Sequence, residues 1–404
     1  MDSDFRLRRC SVLFVEPRET LDLDLAGLLT GGDAFASRCR WVALAPHLDA
    51  EVEIDEQELA VLGQVGETPW LSYEDLASTC PSAALTRLIA CGLLISDSPA
   101  HAAIRDRDEL VRGTHWRSLS AVAHMFSRWR GTDVANDARI TRDRTLADLV
   151  SEYGLPPPHR IQRGGGARRI ELPAAATSAL GHLLQARTTC RNFDVEAEFP
   201  LADLAAVLER VFAAHAVSEP LEGLSVIKRA NPSGGGLHPL EAYLLLRGVQ
   251  GVATGLYHYD VVDRTLEPID ILETVAATAL AERFVAGQGY LSGAHVMVVI
   301  AARFERTFWK YRNHAKAYRV LLLETGHVSQ NIYLAATELG LGAFITAAIN
   351  EGDIEQAFGL DPLEQGPVAV CGFGIRAKRC DVTEFDPLGV VWSTPTALDA
   401  SGRR

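Results

Sequence analysis

From about residue 170 onward, strand-sized apolar runs alternate with helical ones, and this alternation restricts the fold more than any other feature of the chain. "EAYLLLRGV", "GLYHYDV", "AHVMVVIAARF" and "GPVAVCGFGI" read as strands. "ATSALGHLLQA" and "LADLAAVLERVFAAHA" carry the helical period, and longer helices are expected over 268–287 and 314–339. The expected fold is α+β, a mixed sheet flanked by helices, filling residues 170–404.

A different organisation precedes it. "GLPPPHRIQRGGGARR" (154–169) joins a triple proline to a triple glycine without any periodicity and reads as a linker. "THWRSLSAVAHMFSRWRG" (114–131) is amphipathic and helical, and "DVANDARITRDRT" is polar and irregular, so 101–169 is expected to be a helical connector and linker. Residues 1–100 form a smaller domain. Its stretch 51–99 reads as a short strand, three short helices and an apolar strand, "LLISD". Asp55 or Glu56 can start the first helix, Ser72 the second and Ser82 the third, which Gly92 ends. The succession is that of a winged-helix-like module. Only Arg87 marks the third helix as basic, so peptide recognition by strand addition fits better than DNA binding, and a plain structural cap fits equally well.

The formal net charge of −13 repels phosphate backbones and argues against nucleic acid as a partner. Seven cysteines without a C-x-x-C pair argue against a disulfide framework and a zinc site, which fits a reducing cytoplasm. The apolar run Val12–Val15 stops at Glu16, too short for a signal peptide, and no stretch approaches a membrane span.

Four segments carry candidate chemistry. "QARTTCRNFD" (185–194) sets Arg187, Thr188, Thr189 and Arg191 after a helix; guanidiniums and hydroxyls so placed can grip a phosphate, or simply satisfy a helix end. In "KRANPSGGGLHPLEAYLLL" (228–246), Pro232, Ser233, Gly234 and Gly235 let backbone approach a flat ligand, or form an ordinary turn. The segment fits neither a Walker loop nor a hydrolase elbow. "ELGLGAFITAAINEGDIEQAFGL" (338–360) ends a long helix at Gly340 and Gly342, and a semi-apolar loop comes next. "CGFGIRAKRC" (371–380) brings Arg376, Lys378 and Arg379 after an apolar strand, a second phosphate grip.

In that order the four segments resemble the nitroreductase-like FMN-dependent oxidoreductases. "PSGGGLHPLE", "GLYHYD" and "WKYRNHAKAYRVLLLETGHVSQNIYLAATELGLG" look most like the SagB-type dehydrogenases of ribosomal peptide maturation, over roughly 170–380. The resemblance implies FMN as cofactor and a homodimer with its sites across the subunit interface. Arg187 and Thr189 would hold the FMN phosphate, joined by Arg376 or Lys378. Arg191 would face the pyrimidine edge of the flavin. Pro232, Ser233 and Gly234 would pack on the partner subunit's flavin, and the loop around Thr346, Ala347 and Ala348 would offer a backbone N–H near flavin N5. Two positions depart from the family pattern: Thr188 stands where a second arginine-like residue is usual, and Thr189 replaces a serine. Neither change removes a hydroxyl donor.

The same resemblance makes Lys310 and Tyr311 catalytic. Aromatising a thiazoline or oxazoline removes a proton from Cα and a hydride from Cβ, which must sit about 3–3.5 Å from N5. Lys310 would take the proton, with partial burial against the flavin and with Arg306 and Arg312 nearby in sequence favouring its uncharged form. Tyr311 would share that proton or orient the substrate carbonyl. On the residues alone, capping the helix and packing at the dimer interface is the favoured reading of the pair. The expected substrate is a precursor peptide, with other peptide-modifying enzymes as further partners. A rival function, a dehydroamino-acid reductase fed by NAD(P)H, uses the same residues in reverse; a general nitro or quinone reductase fits the extra N-terminal module less well, and a flavin-free scaffold that binds peptide is a rival of a different class. Glu324 and His327 make a single Glu-x-x-His, insufficient for a di-iron site and assigned to helix packing. Cys190 reads as a small buried thiol and His258 as a strand-edge histidine.

Overall fold

A computed structural model describes residues 5–24, 28–31, 35–136, 146–161 and 170–392. The triple-glycine half of the expected linker, and residues 137–145 of the expected irregular stretch, lie outside the described residues. The chain forms two compact units. One gathers Met1–Arg128, Arg303–Arg319 and Asp361–Gln365; the other holds Trp129–Ala302, Val320–Leu360 and Gly366–Arg404. Sequence reading divides the chain at residues 100 and 170, in order along it. The units interleave instead, because aromatic residues of the 304–318 segment find their packing partners on the 114–126 segment.

The first unit contains strands β1 (Arg6–Arg9), β2 (Phe14–Leu23), β3 (Phe35–Leu44), β4 (Val52–Ile54), β5 (Leu71–Ser72) and β6 (Leu94–Ser96). β1 pairs antiparallel with both β5 and β6, while β2, β3 and β4 form a separate antiparallel sheet. Three helices, Glu56–Gln64, Tyr73–Thr79 and Ser82–Ala90, lie between β4 and β6 as the sequence pattern implies. Asp55 starts the first through a reciprocal capping box with Glu58, and Ser72 Oγ accepts from the Glu74 N–H to start the second. Gly92 takes a left-handed φ of +79° where the third helix stops. The third helix buries Leu85 and Leu88 completely against Leu7, Leu62 and Leu94, at about 2 kcal/mol for each leucine.

The second unit adds a hairpin, β7 (Ala216–Leu221) and β8 (Leu224–Lys228), and most of a six-stranded sheet. Its strands are β9 (Leu240–Leu246), β10 (Gly255–Asp260), β11 (Thr265–Ile271), β12 (Val296–Arg303), β13 (Gly342–Thr346) and β14 (Gln365–Gly374), in the spatial order β11-β10-β9-β12-β14-β13. β12 is buried from Val296 to Ala302, as its unbroken apolar run requires of a central strand. The helices Thr274–Phe284 and Glu351–Phe358 cover this sheet through Ala281, Phe284, Ile354 and Phe358.

Three expectations need correction. Residues 268–271 belong to β11 rather than to a helix. β11 is an edge strand, where Pro268 is tolerated because one side of an edge needs no ladder hydrogen bonds. β13 occupies part of the expected loop after Gly342, paired along its length with β14. His258 lies on β10, an inner strand, between Glu241 and Glu267. Among the described residues no helix is long and apolar enough to cross a membrane.

Candidate functional site

The helix Ala179–Ala186 ends at Arg187, and the next residues are stitched to the neighbouring ends of β13 and β14. Thr189 bridges Ala343 in parallel, the Cys190 N–H donates to the Ala343 carbonyl at 2.8 Å, and Phe193 bridges Arg376. Gly342 permits this approach, since a Cβ there would collide with Cys190. Cys190 is fully buried and its thiol is pushed up to about 12 by burial, so it packs rather than reacts.

Here the structure gathers the expected basic and hydroxyl cluster. The Arg187 guanidinium lies 5.2 Å from the Tyr333 ring centre, and Thr189 Oγ1 shares a 3.0 Å hydrogen bond with the Tyr333 hydroxyl. Arg376 donates to Thr188 Oγ1 and to Glu384 Oε2, both at 2.9 Å. Glu384, which sequence reading does not single out, is wholly buried. It also accepts from the Arg191 and Asn192 backbone N–H groups, the Asn192 side chain and the Trp392 indole. That carboxylate balances Arg376 and fixes its direction. Arg187 is half-buried and pairs with no carboxylate among the described residues. A cation that shares Tyr333 with the Thr189 hydroxyl fits a phosphate. Lys378 is exposed and makes no hydrogen bond or ion pair among the described residues.

A second chain of contacts joins Arg191 to the expected N5 loop. Its guanidinium lies 5.8 Å from the Tyr290 ring centre, and the Tyr290 hydroxyl donates to Gln288 Oε1 at 3.2 Å. Gln288 Nε2 reaches Thr346 Oγ1 at 3.2 Å and the Ala348 carbonyl at 2.9 Å. Beyond the loop, Asn350 is wholly buried and ties it down through Thr132 and the Arg283 carbonyl.

The glycine loop has its own anchor. Ser233 Oγ donates to Glu324 Oε2 at 2.7 Å and accepts from the His238 N–H at 2.8 Å. Burial raises the Glu324 carboxyl above the ordinary range, so the helix packing assigned to it includes holding this loop. Gly235 and Gly236 adopt φ near +70°, and a Cβ on Gly234 would strike Val320. Pro232 and Gly235 remain exposed.

Lys310 and Tyr311 belong to the first unit. Lys310 is exposed, with its Nζ 5.7 Å from the Tyr311 ring centre, and the Tyr311 N–H donates to the Thr307 carbonyl. The pair lies between the helix Phe304–Phe308 and Tyr318, and both are held by Trp116 and His124. Trp116 packs 4.6 Å from Phe304 and 4.7 Å from Phe308. His124 bonds the Tyr318 hydroxyl and the Pro362 carbonyl, and burial lowers its pKa to about 4, leaving it neutral. The Asn313 N–H donates to the His115 carbonyl at 3.0 Å.

Comparison with known proteins places this arrangement. Over 195 residues the chain is 31% identical to MJ1384 of Methanocaldococcus jannaschii, described by its name as a nitroreductase, and it covers 90% of that protein. The chain belongs to the nitroreductase family. The family model itself matches residues 184–375, which include the Arg187–Arg191 cluster, the glycine loop and β13. Members of this family are oxidoreductases that typically bind flavin. Two further relatives are the trifolitoxin-processing protein TfxB of Rhizobium leguminosarum, 32% identical over 34% of this chain, and the microcin B17-processing protein McbC of Escherichia coli, 31% identical over 38%. The chain spans 36% of the length of TfxB and 57% of McbC. The solved McbBCD microcin synthetase of E. coli, with truncated pro-MccB17 bound, shares the fold. Its matching chain aligns at a TM-score of 0.50 and 22% identity, over 67% of this chain and 94% of its own.

Proposed function

We propose that this nitroreductase-family protein is an FMN-dependent, SagB-type dehydrogenase that oxidises thiazolines or oxazolines to azoles in a ribosomally made precursor peptide. The carrying observation is the half-buried Arg187, a cation without a carboxylate partner among the described residues, whose guanidinium lies over the same Tyr333 that Thr189 hydrogen-bonds. Arg187 and Thr189 would bind the FMN phosphate, with Arg376 setting the shape of the cluster from its contact with Thr188. Arg191 would hold the pyrimidine edge and the Thr346–Ala348 turn the N5 side. FMN, when bound, supplies the hydride acceptor at N5 and passes the electrons to oxygen or another acceptor.

Lys310 removes the Cα proton of the azoline and Tyr311 orients its carbonyl, so that proton and hydride leave from adjacent carbons. The peptide-processing names of TfxB and McbC, and the pro-peptide in the McbBCD complex, support a peptide substrate and partner enzymes. We assign the protein to the cytoplasm as a homodimer, with residues 1–100 as a leader-peptide module.

The test is to purify the protein, record its visible spectrum and add NADPH without oxygen. A yellow protein whose flavin resists bleaching, and which aromatises an azoline peptide, supports the dehydrogenase. Rapid bleaching favours a reductase, and a colourless protein favours a scaffold. Lys310→Ala should cut turnover by about 10²–10⁴-fold and leave the colour. Turnover at the wild-type rate in that variant removes Lys310 from the mechanism.

A further inference from the structure

Gln288 stands directly after a strained turn. Ala286 has a φ of +49°, unusual for a residue with a Cβ, and Gly287 comes next at +78°. The Ala286 carbonyl is pinned by the Val134 N–H at 2.9 Å. Such a turn persists only when its surroundings demand it, and the Gln288 side chain that it delivers is committed at both ends. Oε1 accepts from Tyr290, while Nε2 reaches the Val285 carbonyl at 2.8 Å as well as Thr346 Oγ1 and the Ala348 carbonyl. Within the Thr346–Ala348 turn, the Ala348 N–H is consumed by Thr346 Oγ1 at 3.1 Å. Thr346 closes β13 opposite Val370. Ala347 is exposed, and its N–H makes no hydrogen bond among the described residues.

We infer that Gln288 is a positioning residue that clamps the Thr346–Ala348 turn so that the Ala347 N–H alone stays available to hydrogen-bond a flavin ring; this rests on the flavin reading above. A donor fixed in advance loses little entropy on binding, and it withdraws electron density from the nitrogen that accepts hydride. The contact therefore distinguishes oxidised from reduced FMN, which a merely structural clamp would not do.

The test compares holoprotein of the wild type, Gln288→Leu and Gln288→Glu. The glutamate variant keeps the size and the acceptor for Tyr290 but loses both amide donors, and it decides the matter should the leucine variant fold poorly. The ratio of dissociation constants for oxidised and reduced FMN is measured, together with the visible spectrum. Loss of one positioned hydrogen bond should change that ratio about five- to tenfold and shift the flavin band. A yellow wild type with variants whose ratio and spectrum match it overturns this inference alone. A wild type that takes up no added FMN overturns the flavin reading and this inference with it.

Discussion

Glu384 is the residue on which the anion cluster depends. Among the described residues five donors converge on its carboxylate, one of them the charged Arg376. Glu384→Ala would leave that guanidinium and two backbone amides without their acceptor in a buried place, so a loss of about 3–5 kcal/mol in denaturant unfolding is expected, with weaker FMN retention. An unchanged unfolding midpoint would show that the cluster does not need it. The other half of this pair is visible in sequence. Arg187, Thr188, Thr189 and Arg376 stand out because charged and hydroxyl residues come directly after regular elements. Glu384, Gln288 and Asn350 are single polar residues in irregular chain, and only the fold reveals that Glu384 and Asn350 are wholly buried and that Gln288, half-buried, is bonded through both ends of its amide. Glu324 is legible as a polar residue on an apolar helix, yet its partner Ser233 is 91 positions away.

The segment bearing Lys310 and Tyr311 inherits its placement from two neighbours, the helix Phe304–Phe308 and Tyr318, both packed on Trp116 and His124. His124 is buried and neutral, its pKa lowered from 6.5 to about 4 chiefly by burial. A histidine whose folded pKa is depressed contributes stability that is present above its unfolded value and lost as pH falls toward the folded one. The first unit should therefore lose up to about 3 kcal/mol between pH 6.5 and 4 from this group. Chemical denaturation of the wild type and of His124→Gln across that range checks it: the variant should show a flatter pH dependence, and parallel curves would discount His124. Strand legibility tracks burial. β9, β10, β12 and β14 are readable from their apolar runs. β11 escapes sequence reading because an exposed edge strand carries little hydrophobic pattern, and β13 because five residues that start at the second of two helix-ending glycines look like loop.

At the scale of the molecule, the second unit displays apolar side chains it does not cover. Leu180 and Leu184 on the helix Ala179–Ala186 are 57% and 50% exposed, and that helix buries no residue at all. Leu323 on the helix Ala317–Glu338 is 60% exposed. A second copy would bury such surfaces, so sedimentation should report twice the chain mass, and Leu323→Asp should shift the protein toward monomer by about tenfold or more in dissociation constant. A monomeric wild type at micromolar concentration would rule out the homodimer. The interleaved units carry one last implication, for synthesis on the ribosome. The amino-terminal unit includes Asp361–Gln365, whose Pro362 and Leu363 carbonyls accept from His124 and Trp116. Nascent chain emerges at about 5–20 residues per second, and early domains ordinarily fold as they appear. Here the part translated first must wait, incomplete, until Gln365 has been joined, exposing its aromatic cradle to chaperones for the tens of seconds in between.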